Sequence, residues 1–314
     1  MTIKEVREKI QKRLQKAGIE DFEYETWMLL EWKLGIGRAE YFMDPDRNVP
    51  EEAWRDLDAV LREREQRIPL QYLMGSCEFM GYSFAVDDRV LIPRQDTECL
   101  VELAVEKIRQ TLKERKSANE EQSAGGQSGL PEKRHGEETD RPVFCRVLDM
   151  CTGSGCIGIS VKLLCPEAEV TLSDVSEGAL AVAKKNAWNL GAAVRLEESD
   201  LFENVQGSFD YILSNPPYIP SRVIEGLMPE VTEYEPRLAL DGAEDGLYFY
   251  RRITEEAANY LRPGGWLLFE IGQEQGEALL SILEECGFEE AEVKKDLAGL
   301  DRIALGRWPG KKEP

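Results

Sequence analysis

From residue 146 to residue 308, short apolar runs alternate with stretches of helical spacing, and few folds accept that order. Residues 146–150, 169–173, 193–197, 209–214, 265–271, 288–294 and 301–308 read as strands; 156–165, 176–190, 247–261 and 274–286 read as helices. A helix between two strands carries the chain back so that the strands run parallel. The pattern therefore predicts an α/β fold built on a parallel, doubly wound sheet. The last two strands lie close enough in sequence to form an antiparallel hairpin at one edge. No internal repeat is visible.

The first 75 residues carry a different pattern and predict a small helical bundle. Thr2 and Glu5 have capping-box spacing, Val6, Ile10, Leu14 and Ala17 share one face, and Gly18 ends the segment. Asp21 is placed to cap a second helix carrying Phe22, Trp27, Leu30 and Leu34; a third follows Pro50 with Ala53, Leu57, Val60 and Leu61. Phe79, Tyr82, Phe84 and Val86, interrupted by Gly81 and an Asp87-Asp88 turn, predict a hairpin whose second strand ends at 90–94. Residues 76–95 thus read as a β-hairpin linker between domains. Residues 95–98 then open a helix with Leu100, Val101, Ala104, Val105, Ile108 and Leu112 on its apolar side. From 113 to 141 there is almost nothing to bury, which predicts a flexible insertion; Gly126-Gln127 and the sole histidine, His135, fall inside it.

Lys and Arg total 39 against 60 for Asp and Glu, a net charge of -21, which argues against gripping phosphate backbones as the main task. A protein or small-molecule substrate fits better. Seven cysteines form no CxxC pair and there is one histidine, so no zinc site is expected. No run has the apolar length of a membrane span and the N-terminus lacks a signal peptide's apolar stretch, so a cytoplasmic protein with reduced thiols is the expectation.

Within the alternating region, Arg146-Val147-Leu148-Asp149-Met150 leads into Cys151-Thr152-Gly153-Ser154-Gly155, a strand followed by a glycine turn and a helix start. Gly153 and Gly155 permit a tight turn and close ligand approach. The next strand ends in Asp174, twenty-one residues beyond Gly153, the place for a carboxylate that grips ribose hydroxyls. The extended Gly-x-Gly-x-x-Gly spacing of dinucleotide sites is missing, which favours an adenosyl ligand. Ser199-Asp200-Leu201-Phe202 follows the third strand on the adenine side; Asp200 can accept from an adenine amino group or serve as a turn residue.

The fourth strand ends in Asn215-Pro216-Pro217-Tyr218. Proline has no N–H, so this segment offers a carboxamide and backbone carbonyls with few competing donors. Such a rim can accept both hydrogens of a planar NH2 group while Tyr218 presents a ring face. An amide nitrogen is a poor nucleophile because its lone pair is drawn into the C–N bond. Holding both N–H bonds can turn that lone pair toward an electrophile. Alone, the tetrapeptide is equally a Pro-rich turn. Its placement beside the glycine turn, at the switch point of the predicted sheet, favours alkyl transfer to a planar nitrogen.

On these features the chain resembles the class I S-adenosylmethionine-dependent methyltransferases and, more narrowly, the release factor glutamine methyltransferase family. The narrower likeness rests on Pro69-Leu70-Gln71-Tyr72-Leu73-Met74-Gly75, residues 90–98, 151–155 and 214–219, Glu235-Pro236-Arg237-Leu238-Ala239-Leu240-Asp241-Gly242, and Asp296-Leu297-Ala298-Gly299-Leu300-Asp301-Arg302. Asn-Pro-Pro-Tyr alone is shared with adenine and guanine methylases. The resemblance implies a Rossmann-like, seven-stranded methyltransferase domain over 96–310 and a substrate-recognition domain over 1–75 that helps to clamp a peptide chain release factor. It implies S-adenosylmethionine held by Cys151, Thr152, Gly153, Ser154, Gly155, Asp174, Asp200, Leu201, Phe202 and Asn215, with no metal. It implies a glutamine amide held by Asn215 and the Pro216 carbonyl, Tyr218 packing near it and Pro217 shaping the loop; Asn215, Pro216 and Tyr218 are then the catalytic set. The methyl acceptor would be N5 of the glutamine in a Gly-Gly-Gln loop. Cys151 stands where the family commonly has glycine, and Leu201 where some relatives carry an aromatic side chain.

Three rival readings share parts of this evidence. A ribosomal-protein glutamine methyltransferase would use the same chemistry. A nucleic-acid amino methyltransferase would use the tetrapeptide on a flipped base, against the acidic charge. A cofactor-binding adaptor without activity would have no need of the Asn215–Tyr218 loop.

Overall fold

The computed structural model describes residues 1–124 and 144–311. His135, Gly126-Gln127 and the stretch of the expected insertion from 125 to 141 lie outside the described residues. The chain divides into two compact units, one made of Met1–Ser76 together with Leu227–Glu235, the other of the remainder.

The first unit is helical: α1 Ile3–Lys16, α2 Phe22–Leu34, α3 Arg38–Met43, α4 Glu51–Arg64 and α5 Leu70–Met74. Thr2 and Glu5 form a reciprocal capping box, Thr2 Oγ1 accepting from Glu5 N at 3.2 Å and Glu5 Oε2 from Thr2 N at 2.9 Å. The period of Ile3, Val6, Ile10 and Leu14 buries one face of α1 against Leu29, Leu30, Leu57 and Leu61. Asp21 holds the N-cap position of α2 but makes no side-chain cap bond, because its φ of −84° and ψ of 29° leave the extended region that capping geometry requires. Arg64 is 3% exposed and donates to Glu25 at 2.8 and 2.9 Å and to Glu230 at 2.7 Å. Glu230 opens a single π turn, Glu230–Tyr234, which the sequence pattern does not announce. Arg67 also donates to Glu230, and the Tyr234 hydroxyl donates to the Gln66 carbonyl at 2.7 Å.

In the second unit, β1 Ser76–Phe79 and β2 Tyr82–Ala85 form a two-stranded ribbon. The predicted second strand was longer. Instead Val90 N donates to the Asp87 carbonyl in a turn, and residues 91–94 run on unpaired. A 3-10 turn, Gln95–Thr97, leads into α6 Glu98–Ala124. That helix takes in 113–124, which composition assigned to the insertion. Charged residues of good helix propensity extend it after its apolar face has run out.

Then come β3 Cys145–Met150, α7 Cys156–Leu164, β4 Ala168–Asp174, α8 Glu177–Leu190, β5 Arg195–Glu198, β6 Phe209–Ser214, α9 Ser221–Ile224, α10 Tyr248–Ala257, β7 Leu261–Glu270, α11 Gly276–Glu285, β8 Glu289–Lys295 and β9 Asp301–Arg307. The seven-stranded sheet has the order β5-β4-β3-β6-β7-β9-β8, parallel except for β9 against both its neighbours. α10 is shorter than predicted and β7 starts earlier, because Leu261 pairs with Phe209 ahead of an irregularity across the Pro263-Gly264-Gly265 stretch.

Residues alternate across the sheet. Val147, Tyr211, Leu213 and Leu268 face a core with Leu100, Ile108 and Ile159; Leu148, Ile212, Leu267 and Phe269 face Tyr250, Ile253, Leu279 and Leu283. Register aligns Met150 with Ser173 and Ser214, and Ser214 with Phe269. The residues that follow, Cys151, Asp174, Asn215 and Glu270, therefore emerge in one row at the carboxyl edge. The strand order reverses direction at β3, where α/β sheets open a ligand crevice.

Candidate active site

The glycine turn is closed by backbone bonds. Thr152 N donates to the Ser173 carbonyl at 3.0 Å and Gly155 N to the Thr152 carbonyl at 2.8 Å. Cys151, Gly153 and Gly155 take φ of 58°, 54° and 82°. For Cys151 that is the left-handed region, where a Cβ is strained. The loop thus follows a glycine course with a cysteine in it. Gly155 caps α7 and has no room for a side chain: a Cβ there would lie 2.7 Å from Ile159 Cδ1. Beneath the turn, fully buried Asp149 accepts from the Thr152 hydroxyl at 2.5 Å and from Gly158 N at 2.8 Å, while its Oδ1 has no partner. Burial pushes this carboxyl up to about 7, partly offset by those two donors. Asn186 of α8 braces the turn, donating to the Ser154 carbonyl at 2.9 Å and to Ala85 O at 3.0 Å.

Asp174 ends β4 with Oδ2 accepting from Gly153 N and Oδ1 from Ser176 N, both at 2.9 Å. Burial raises its pKa against the pull of those amides. Each carboxylate oxygen keeps further lone-pair capacity. Asp200 pairs with Arg252 at 3.1 Å, and Leu201 is buried at a φ of 51°.

On the substrate side, the Ser214 hydroxyl donates to the Met150 carbonyl at 2.8 Å and Asn215 Nδ2 reaches Thr97 Oγ1 at 3.5 Å. Pro216 and Pro217 are buried. Residues 219–221 are held by a neighbouring loop: Ile219 N donates to Leu240 O at 3.0 Å, Gly242 N to Ile219 O at 2.9 Å, and Ser221 Oγ to Asp241 Oδ1 at 2.5 Å. Gly242 and Gly246 allow that approach, since a Cβ on Gly246 would sit 2.3 Å from the Tyr218 carbonyl. Gln275 Nε2 donates to the same carbonyl at 3.1 Å and to Gly246 O at 3.2 Å.

One cavity of about 1020 Å³, open solvent at its mouth included, brings these groups together. Of the residues expected from sequence, Cys151, Thr152, Gly153, Ser154, Asp174, Asp200, Leu201, Asn215 and Pro217 line it. Gly155, Phe202, Pro216 and Tyr218 do not. Phe202 is 1% exposed and stacks on Tyr260 with centroids 4.5 Å apart, so it packs the core rather than the cavity wall. Tyr218 directs its hydroxyl to Glu270 Oε1 at 3.5 Å. Sequence reasoning did not single out Asn186, Phe249, Glu270 or Gln275, which build or line the site through contacts remote in sequence.

The cavity fits an adenosyl cofactor on its own chemistry. Its volume suits one, its glycine turn leaves open space at Gly153, and the Asp174 carboxylate faces it with acceptor capacity for a ribose diol.

Two family models match the chain: the PrmC N-terminal domain over residues 5–75 and the methyltransferase small domain over 137–228. A release factor glutamine methyltransferase of Geobacter sulfurreducens is 38% identical over 98% of this chain and 96% of its own length. One from Bordetella pertussis is 40% identical over 90% of this chain and 93% of its own. A bifunctional methyltransferase of Rickettsia felis is 33% identical over 97% of this chain, which spans 58% of that protein. By near-full-length identity of this order, the chain belongs to the release factor glutamine methyltransferase family and is an S-adenosylmethionine-dependent methyltransferase.

Proposed function

We propose that this enzyme methylates N5 of the glutamine side chain in the Gly-Gly-Gln loop of a peptide chain release factor, in the cytoplasm. The observation that carries the reading is the presence of the Asn215 carboxamide in the same cavity as the glycine turn and Asp174. Thr152, Gly153, Ser154, Asp174 and the 200–201 backbone would hold the cofactor, which supplies an electrophilic methyl group. Asn215 Oδ1 and the Pro216 carbonyl accept the two N–H bonds of the glutamine amide. With both hydrogens held, the nitrogen lone pair is turned out of conjugation and toward the methyl carbon. The carbon–nitrogen bond forms as the carbon–sulfur bond breaks, and the nitrogen releases its proton to water once it carries positive charge. Catalysis in this scheme comes from orientation and proximity rather than from a strong base. The helical residues 1–75 serve release-factor recognition.

The test is incubation with methyl-labelled S-adenosylmethionine and, separately, a release factor, ribosomal proteins, and DNA or RNA, with peptide mass spectrometry on the product. Label on the Gly-Gly-Gln glutamine is expected. Label on ribosomal protein alone, or on nucleic acid alone, would overturn the substrate assignment and keep the methyl transfer.

A further inference from the structure

Glu270 closes β7 one residue beyond the Phe269–Ser214 pair, so it and Asn215 leave adjacent strands at the same level. It is 1% exposed. Its carboxyl accepts from the Thr97 hydroxyl and, at 3.5 Å, from the Tyr218 hydroxyl, while Oε2 is buried without a partner. Thr97 Oγ1 in turn accepts from Asn215 Nδ2 at 3.5 Å. A hydroxyl has a single hydrogen to give, and an ionised carboxylate can only accept. Once Thr97 gives its hydrogen to Glu270, only lone pairs face Asn215. The carboxamide must then turn its NH2 to Thr97 and its oxygen to the incoming amide. The reverse orientation would set NH2 against NH2.

We propose that Glu270, acting through Thr97, is the positioning residue that sets the Asn215 carboxamide with its oxygen toward the substrate nitrogen. This rests on the glutamine-amide reading above. The groups facing Glu270 come from several elements. Thr97 and Asp96 lie ahead of α6, Tyr218 lies in the substrate loop, and Cys156 opens α7. Arg302 of β9 is paired with Asp96 at 3.0 Å and Asp296 at 3.1 Å, and the Tyr250 hydroxyl of α10 donates to the Glu270 carbonyl at 2.7 Å. Burial pushes the carboxyl up to about 7; Thr97, Arg302 and Tyr218 pull it down and Asp96 pushes it up. Protonated, Glu270 can donate to Thr97, which reverses the chain and disfavours the productive amide orientation. Turnover therefore falls as pH drops through that range.

The experiment measures kcat and KM for the glutamine substrate across about pH 5.5–8.5 in wild type, Glu270→Gln, Thr97→Val and Thr97→Ser. Cofactor affinity and thermal melting serve as controls for fold. Glu270→Gln and Thr97→Val are each expected to lower kcat by about 10–10²-fold with cofactor affinity unchanged. Thr97→Ser, which keeps the hydroxyl, recovers most of that loss, and Glu270→Gln loses the acidic limb of the kcat profile. Should Glu270→Gln fail to fold, the Thr97 pair still decides the matter. Wild-type glutamine turnover with the acidic limb intact in Glu270→Gln, or equal losses in Thr97→Val and Thr97→Ser, would overturn this inference alone. Absence of glutamine methylation by the wild type would overturn the functional reading and this inference with it.

Discussion

The two sides of the cavity are built by different means. The cofactor side is set by the course of the backbone: three consecutive odd-numbered residues, 151, 153 and 155, at positive φ, amide-to-carbonyl bonds of 2.8 and 3.0 Å, and Asp174 accepting at 2.9 Å. The substrate side has its backbone pinned from residues 240–246 and 275, yet its reacting carboxamide and its tyrosine make side-chain contacts of 3.5 Å. Bonds at that length are weak. A cofactor of constant shape suits a rigid cradle. A glutamine presented on another protein suits side chains that tighten only when the amide arrives.

The largest expected effect probes where the cofactor side stops. Phe202→Ala should cost about 3–5 kcal/mol of stability, as for a buried aromatic, with cofactor affinity of the folded fraction unchanged. Denaturant unfolding and calorimetric titration check it; a large loss of affinity without loss of stability would return Phe202 to the cofactor wall. Next is the substrate side. Asn215→Ala should lower kcat by about 10²–10³-fold, the scale of losing one preorganised hydrogen-bonding group, with cofactor binding retained. Full turnover in that variant would remove Asn215 from the chemistry.

A third effect compares the buried carboxyls under each side. Asp149 and Glu270 are both raised to about 7, from 3.8 and 4.5. Between those limits the folded protein binds more protons than the unfolded chain, so stability falls as pH rises. Their contribution is complete below the lower values and is lost through about 7. Asp149→Asn and Glu270→Gln should each flatten the stability profile between about pH 4 and 7, read from denaturant midpoints. A profile unchanged in both would show that neither carboxyl holds its proton there.

The smallest effect belongs to Cys151. Cys151→Gly should stabilise by about 1 kcal/mol, because relief of a left-handed Cβ outweighs the entropy glycine adds to the unfolded chain. Destabilisation would mean that thiol packing outweighs the backbone strain.

The contrast also explains what was legible in the amino-acid order. The glycine turn, Asp174 and the Asn-Pro-Pro-Tyr segment are local signals, and each marks a sharp change of backbone course at the end of a strand. The alternation that predicted the sheet is local too, and all seven strands stand near their predicted positions. Glu270, Gln275 and Asn186 carry no local signal. Glu270 ends an ordinary apolar run, and only the Ser214–Phe269 register brings it beside Asn215. Phe202 shows the converse: it neighbours two cavity residues in sequence, but its side chain leaves the cavity for Tyr260. Residues 90–94 were legible as a motif but not as structure, since Val and Ile there suggest a strand that the turn at Asp87 does not pair.

The π turn at Glu230 has a consequence for dissecting the protein. Because Leu227–Glu235 belongs with Met1–Ser76, the helical unit is discontinuous along the chain and cannot be released by one cleavage. A fragment ending at Ser76 would keep Glu25 beside Arg64 but lose the Glu230 carboxylate that Arg64 shares with Arg67. A buried guanidinium deprived of one partner is costly. The faithful minimal piece is a permuted one, with 227–235 spliced to the helices it completes.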